Sequence, residues 1–262
     1  MRTLAVKGFD DLPLFAQVEG PGAGPAVVLS HSIGGDLGMW DALAVTLRER
    51  YRVLRFDRRG HGRSGLPAGD ASLQTLGHDA LAVMDAAGVA RAHFVGLSQG
   101  GMEGLWLAAN APGRIARLVL ANTTAHLGVP ELIQAGIDAS RAHGMAGVAN
   151  GFLDRWLPAA FQAAQPQAAA QLRATFAGMP VEGFAACAAV LKHVDLRDAL
   201  PRIAAPTLVI VGGAEAPPMQ VAAQALAAGI AGARLAVIEG AGHLSAIDHP
   251  AQFAELVSSF LA

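Results

Sequence analysis

Cysteine is all but missing from this chain: Cys187 is the single one among 262 residues. One thiol excludes an internal disulfide and any zinc site built on several cysteines. Aromatic residues make up only 5% and charged residues only 15%. The core must therefore be built mainly of Ala, Val and Leu. The formal net charge of −2 gives no basic field, which argues against nucleic acid or an anionic membrane as partner. No apolar run reaches the roughly 18 residues that a membrane span needs. The stretch from Met1 to Asp10 also lacks an apolar segment of signal-peptide length. The expectation is a cytoplasmic protein with a small-molecule partner.

What the chain does have is apolar mass: 53% of its residues are hydrophobic. Its length suits one large domain, or one domain carrying an insertion. Short apolar runs recur at 26–29, 52–56, 93–96, 118–120, 207–211 and 234–238. Runs this short and this apolar read as strands buried on both faces, hence a parallel sheet. Helical patterns separate them, at about 41–50, 73–87, 99–110, 219–230 and 250–261. Strand–helix alternation predicts an α/β fold. Leu4–Val18 adds an antiparallel hairpin at the start. From about 123 to 195 the pattern is helical and Gly-punctuated, without a convincing strand. There Pro130, Pro158, Pro166 and Pro180 divide it into several short helices. Helices inserted between two parallel strands sit over the C-terminal edge of the sheet, where ligands bind in open α/β sheets. The boundaries are a core of 1–121 and 196–262 with a helical cap, or lid, over 122–195.

The most informative segment is Gly96-Leu97-Ser98-Gln99-Gly100. It fits G-x-S-x-G between a strand and a helix, the context that motif needs. A strand that turns at once into a helix strains its turn residue and exposes the side chain at the sheet edge. Glycines on either side let the chain bend without Cβ clashes. The free N–H of Gln99, at a helix N-terminus, suits a developing oxyanion. Without the flanking strand and helix, the pentapeptide would read equally well as a Ser-Gly turn or a helix cap.

A serine nucleophile needs a base, and the base an orienting acid. His243 lies in Gly240-Ala241-Gly242-His243, just after the last strand. Glu215 follows the strand at 207–211 through a Gly-Gly-Ala turn and is the acid candidate, with Asp248 in reserve. The order Ser, acid, His is the one this motif predicts. A second oxyanion donor is sought in Ser30-His31-Ser32-Ile33-Gly34-Gly35, with the N–H of Ile33 favoured and His31 read as structural. Gly60-His61-Gly62-Arg63-Ser64-Gly65 matches a dinucleotide fingerprint literally. Leu66-Pro67-Ala68-Gly69-Asp70 follows it instead of a helix, so it reads as a structural turn. No metal and no cofactor are expected.

Three segments together, 57–64 (DRRGHGRS), 96–101 (GLSQGG) and 240–243 (GAGH), resemble the α/β-hydrolase fold over nearly the whole chain. Within it, Leu29–Trp40, Tyr51–Asp57, Arg91–Ser98 and Arg117–Gly128 are similar to 3-oxoadipate enol-lactone hydrolases (β-ketoadipate enol-lactonases). Two features depart from that family: Glu215 stands where Asp is usual, and Ala216 replaces the Thr before the proline pair. The resemblance implies acyl transfer that opens a small carboxylate-bearing enol-lactone to 3-oxoadipate in aromatic catabolism. It also implies a cation near the lid, for which Arg141, Arg155, Arg173, Lys192 and His193 are candidates. Trp40, Trp156 and Met102 are candidates for an apolar wall, although such residues are more often plain core. A general carboxylesterase or lactonase, a perhydrolase, and a non-catalytic ligand-binding protein on the same scaffold stay open as alternatives. The oligomeric state is left unassigned.

Overall fold

The computed structural model describes all residues 1–262. In chain order its elements are β1 (Arg2–Lys7), β2 (Pro13–Glu19), β3 (Ala26–Ser30), α1 (Asp41–Leu47), β4 (Arg52–Phe56), α2 (Leu73–Ala86), β5 (Ala92–Leu97), α3 (Gln99–Asn110) and β6 (Ile115–Ala121). After β6 come α4 (Pro130–Trp156), α5 (Ala159–Ala164), α6 (Pro166–Ala177) and α7 (Val181–His193). The chain then returns through β7 (Thr207–Gly212), α8 (Pro217–Gly229), β8 (Arg234–Ile238), α9 (Ser245–Asp248) and α10 (Pro250–Leu261).

The eight strands form one sheet in the order β1-β2-β4-β3-β5-β6-β7-β8. The β1–β2 hairpin joins β4 antiparallel; every pairing from β4 to β8 is parallel. Side chains alternate across each strand, and this alternation makes the layers. Val27 and Leu29 of β3 pack with Leu43 and Leu47 of α1 and with Phe253 and Val257 of α10. Ala26 and Val28 point the other way, to Ala80 and Val83 of α2 and Leu105 of α3. The central strands β3 and β7 are buried at every position, which is why they contain no alternating polar residues.

One expectation needs correction. β8 is not buried on both faces: Leu235 and Val237 are 39% and 46% exposed, because it is the last strand of the sheet. The four prolines start the inserted helices as expected, but one further break, at Gly144, is marked by no proline. Pro130 opens α4 at its first helical position, where no N–H is needed, and α4 runs 27 residues. Its interruption is Gly144, whose φ of 69° is left-handed and open without strain only to glycine. Pro166 opens α6, and Pro158 and Pro180 sit just before α5 and α7.

The inserted helices are held closely to the sheet. Gly60 and Gly183 touch backbone to backbone: a Cβ on Gly60 would lie 2.5 Å from Gly183 Cα. Ala71 N–H donates to Ala186 O at 3.0 Å, and His243 N–H donates to Trp156 O at 3.0 Å. No single helix is long and apolar enough to cross a membrane.

Candidate active site

Ser98 sits between β5 and α3 with φ 56° and ψ −118°, a conformation that a non-glycine residue holds only under constraint. Glycine is obligatory around it. A Cβ on Gly96 would lie 2.1 Å from Gly100 O, and one on Gly100 would lie 2.2 Å from Ser30 O. The carbonyl of Ser98 accepts from Thr123 Oγ1 at 2.6 Å and from Gly101 N–H at 2.9 Å. Those bonds pin the turn and leave the Ser98 side chain partly exposed.

Two further strand ends bring the partners. Gly212 closes β7, and a Cβ there would meet Ala241 O at 2.2 Å. That absence of a side chain lets the loop after β7 press on the loop after β8. Ala214 N–H completes the contact by donating to Ala241 O at 2.9 Å. Glu215 Oε2 lies 2.9 Å from His243 Nδ1, and His243 Nε2 lies 3.0 Å from Ser98 Oγ. The carboxylate side fixes the tautomer: Nδ1 carries the proton toward Glu215, and bare Nε2 accepts from the Ser98 hydroxyl. Burial alone would raise the carboxyl of Glu215. Its hydrogen bond to His243, the charge there and the donor from Asn122 outweigh burial and hold it below the usual glutamate value.

Asn122, which carries no charge and stands in no motif, is central to the hydrogen bonding of this site. It ends β6 at φ 46°. Its Nδ2 donates to Glu215 Oε2 at 2.9 Å and to Gly242 O at 3.1 Å, and its Oδ1 accepts from Ser245 Oγ at 2.5 Å. The available sequence signal was its position at a strand's C-terminal end. The reserve acid, Asp248, is occupied elsewhere: it accepts from Gly242 N–H at 2.7 Å and pairs with His249 at 3.0 Å.

The backbone N–H groups of Ile33 and Gln99 donate to no other protein atom. His31 takes a structural place: Nδ1 faces Ser32 O at 2.7 Å and Nε2 accepts from Arg58 N–H at 3.0 Å. Full burial, with Arg58 alongside, keeps its pKa well below the usual histidine value. The glycine-rich turn at 60–65 supports this same loop, since His61 Nε2 accepts from Gly34 N–H at 3.2 Å. The helix after that turn begins only at Leu73.

A cavity of about 430 Å³ lies between α4, α6 and the loops that follow β3 and β8. Its walls include Ser32, Gly34, Asp36, Trp156, Phe176 and Leu244. None of Ser98, Glu215 and His243 is in its lining; the link between cavity and relay is Trp156, which lines the cavity and whose ring lies 5.7 Å from the His243 ring. Phe176 of α6 is seated over Gly34, where a Cβ would be 2.6 Å away.

Of the expected substrate contacts, only Trp156 lines this cavity. Trp40 is fully buried against Phe253 at 6.1 Å, because it faces α10 under the sheet. Met102 points into the α2–α3 side of the core, since α3 turns that face away from the sheet edge. Arg141 pairs with Glu182 at 2.8 Å on the surface, and Arg155 lies over the Phe152 ring at 5.0 Å. Arg173 pairs with Asp154 at 2.7 Å and Lys192 donates to Gln134 at 2.9 Å; His193 is exposed. No Lys, Arg or His lines the cavity.

Fold and site together define a hydrolase built on a parallel sheet with a glycine-flanked serine at its edge. The chain belongs to the α/β-hydrolase fold family, whose profile matches residues 25–250. It is 33% identical over 248 residues to 3-oxoadipate enol-lactonase 1 of Acinetobacter baylyi, covering 95% of this chain and 92% of that one. The crystal structure of the enol-lactonase from Burkholderia xenovorans LB400 superposes with a TM-score of 0.95 at 37% identity, over 99% of each chain. A hydrolase from Pseudomonas aeruginosa gives a TM-score of 0.95 at 41% identity, over 100% of this chain and 98% of that one.

Proposed function

We propose that the chain is a cytoplasmic serine hydrolase that opens a small lactone, with an enol-lactone of the 3-oxoadipate type as its leading substrate class. The observation that carries this reading is the relay Glu215–His243–Ser98, with contacts of 2.9 Å and 3.0 Å. The similarity to enol-lactonases over nearly the whole length supports the lactone class. In this reading residues 122–195 form a cap domain over the core of 1–121 and 196–262, and Trp156 and Phe176 wall the acyl site.

Ser98 Oγ attacks the lactone carbonyl while its proton passes to His243 Nε2. Glu215 holds the imidazolium that results. The carbonyl oxygen gains negative charge and accepts from the N–H groups of Gln99 and Ile33. Collapse breaks the ring C–O bond, and the enol oxygen leaves with the proton from Nε2. The acyl chain stays esterified to Ser98. Water, deprotonated by His243, then attacks the acyl-enzyme and releases the carboxylate product and free Ser98.

The test is direct. Ser98→Ala should lower kcat on the enol-lactone by about 10³-fold or more, and a fluorophosphonate should label the parent but not the variant. Equal turnover by Ser98→Ala sinks the assignment.

One observation favours a second reading of the substrate. Asp36 lies at the cavity, its Oδ1 accepting from Gly38 N–H at 2.8 Å, and no cation faces it. Like charges in a partly desolvated space repel, so an uncharged lactone or ester fits this wall better than a carboxylate-bearing one. The ratio of kcat/KM for the enol-lactone and for its methyl ester decides between them. Preference for the free carboxylate excludes the uncharged class.

A further inference from the structure

A buried charge lies beneath Ser98 that the reaction scheme leaves idle. Arg58 is 1% exposed and Glu103, one turn into α3, is 0% exposed. Arg58 Nη2 donates to Glu103 Oε2 at 3.2 Å, to Ser30 Oγ at 3.0 Å and to His31 O at 2.9 Å. Its Nη1 donates to Gln99 Oε1 at 3.1 Å, and its backbone N–H to His31 Nε2 at 3.0 Å. Ser30 Oγ closes the ring by donating to Glu103 Oε2 at 2.9 Å.

The partners fall into two sets. Gln99 is the residue whose N–H stands next to the nucleophile. Ser30 and His31 open the turn that carries Ile33. One planar guanidinium therefore bridges the two backbone segments that supply the oxyanion donors. Removing an ion pair from water this completely is expensive, and an apolar pair of similar volume would commonly fill the space as stably. What an apolar pair lacks is a rigid fork with donors at fixed angles. Gln99 extends the bracing outward, since its Nε2 donates to Cys187 O of α7 at 2.6 Å.

We propose that Arg58 is a positioning residue that sets the separation of the Gln99 and Ile33 N–H groups, with Glu103 holding the guanidinium in place. This rests on the serine-hydrolase reading above. The oxyanion exists only in the transition state and the intermediates, so loss of Arg58 falls on kcat and spares KM. Loss of a whole donor lowers kcat about 10²–10³-fold. A donor that is displaced but retained should lose less, about 10–100-fold.

Two variants test this. Arg58→Met combined with Glu103→Leu removes the pair without stranding a charge. Arg58→Lys keeps a charge opposite Glu103 but has no fork to span both segments. The parent is first titrated with a fluorophosphonate and assayed on p-nitrophenyl acetate. We then measure kcat, KM, the melting temperature and the Ki of an alkyl boronic acid, which forms a tetrahedral adduct on Ser98. The expected result in each folded variant is a 10–100-fold fall in kcat, KM within about threefold, and boronate affinity weakened in step with kcat. Arg58→Lys decides alone if the double variant does not fold. Parent values of kcat and Ki in Arg58→Lys overturn the proposal. A parent that takes no label and turns over no ester overturns the serine-hydrolase reading instead.

Discussion

At the residue scale, the carboxylate proposed as the acid, Glu215, sits between His243 and Asn122. Its carboxyl is held below the usual value by His243 and Asn122 against the pull of burial. A depressed carboxyl stays ionised above its unfolded value, near 4.5, and loses its contribution as pH falls through the lower folded value. Asn122→Ala removes one donor to that carboxylate, an interaction worth about 1.5–3 kcal/mol for a charged acceptor. It should lower kcat about tenfold and move the acid-side loss of activity to higher pH; an unshifted pH–rate profile would refute the role. Glu215→Gln should be more severe, about 10²–10⁴-fold in kcat, because it upsets the tautomer of His243. Glu103 moves the opposite way: burial, only partly offset by Arg58, raises its carboxyl to about 7. Between the unfolded value near 4.5 and about 7, the folded chain keeps a proton that the unfolded chain has released. Stability therefore falls as pH rises across that window. Urea unfolding at pH 5 and pH 8 should show the slope in the parent and a shallower one in Glu103→Gln.

At the element scale, the glycines are contact points between elements. Gly60 is in the left-handed region at φ 72° and touches Gly183 of α7. Gly60→Ala both strains the turn and pushes α7 outward, and should destabilise the fold by about 1–3 kcal/mol in equilibrium denaturation. Much of the sheet was legible because parallel strands must be continuous apolar runs and β5–turn–α3 has a glycine signature around Ser98. The placement of Glu215 and His243 after β7 and β8 was legible for the same reason: both loops follow recognisable strands. The Arg58–Glu103 pair was not. Its partners are 45 positions apart, and an isolated charge in an apolar helix carries no mark of what it meets. The basic residues of the inserted helices misled for a related reason. Helical spacing does not tell which side of α4 faces the sheet, so Arg141 and Arg155 looked available although they face outward or pair with neighbours.

At the scale of the whole molecule, two apolar layers flank one sheet, and the inserted helices join the layer that contains α1 and α10. Cys187 reports on that union. It is fully buried, with its thiol pushed up to about 12 and its Sγ 3.4 Å from Arg59 O. A thiolate reagent at pH 8 should therefore label it only when α7 lifts away or the chain unfolds. Labelling within the mixing time in native buffer would show that the helices are loosely attached.

The hydrogen bond from His243 N–H to Trp156 O ties the end of α4 to the loop that carries the imidazole. The imidazole's height above the sheet is therefore set partly from outside the core, by the last turn of an inserted helix. Pro158→Ala, or any change that unwinds the end of α4, should loosen the His243 loop without touching Ser98 or Glu215; faster amide exchange at His243 in such a variant, with the rest of the sheet unchanged, is the expected sign.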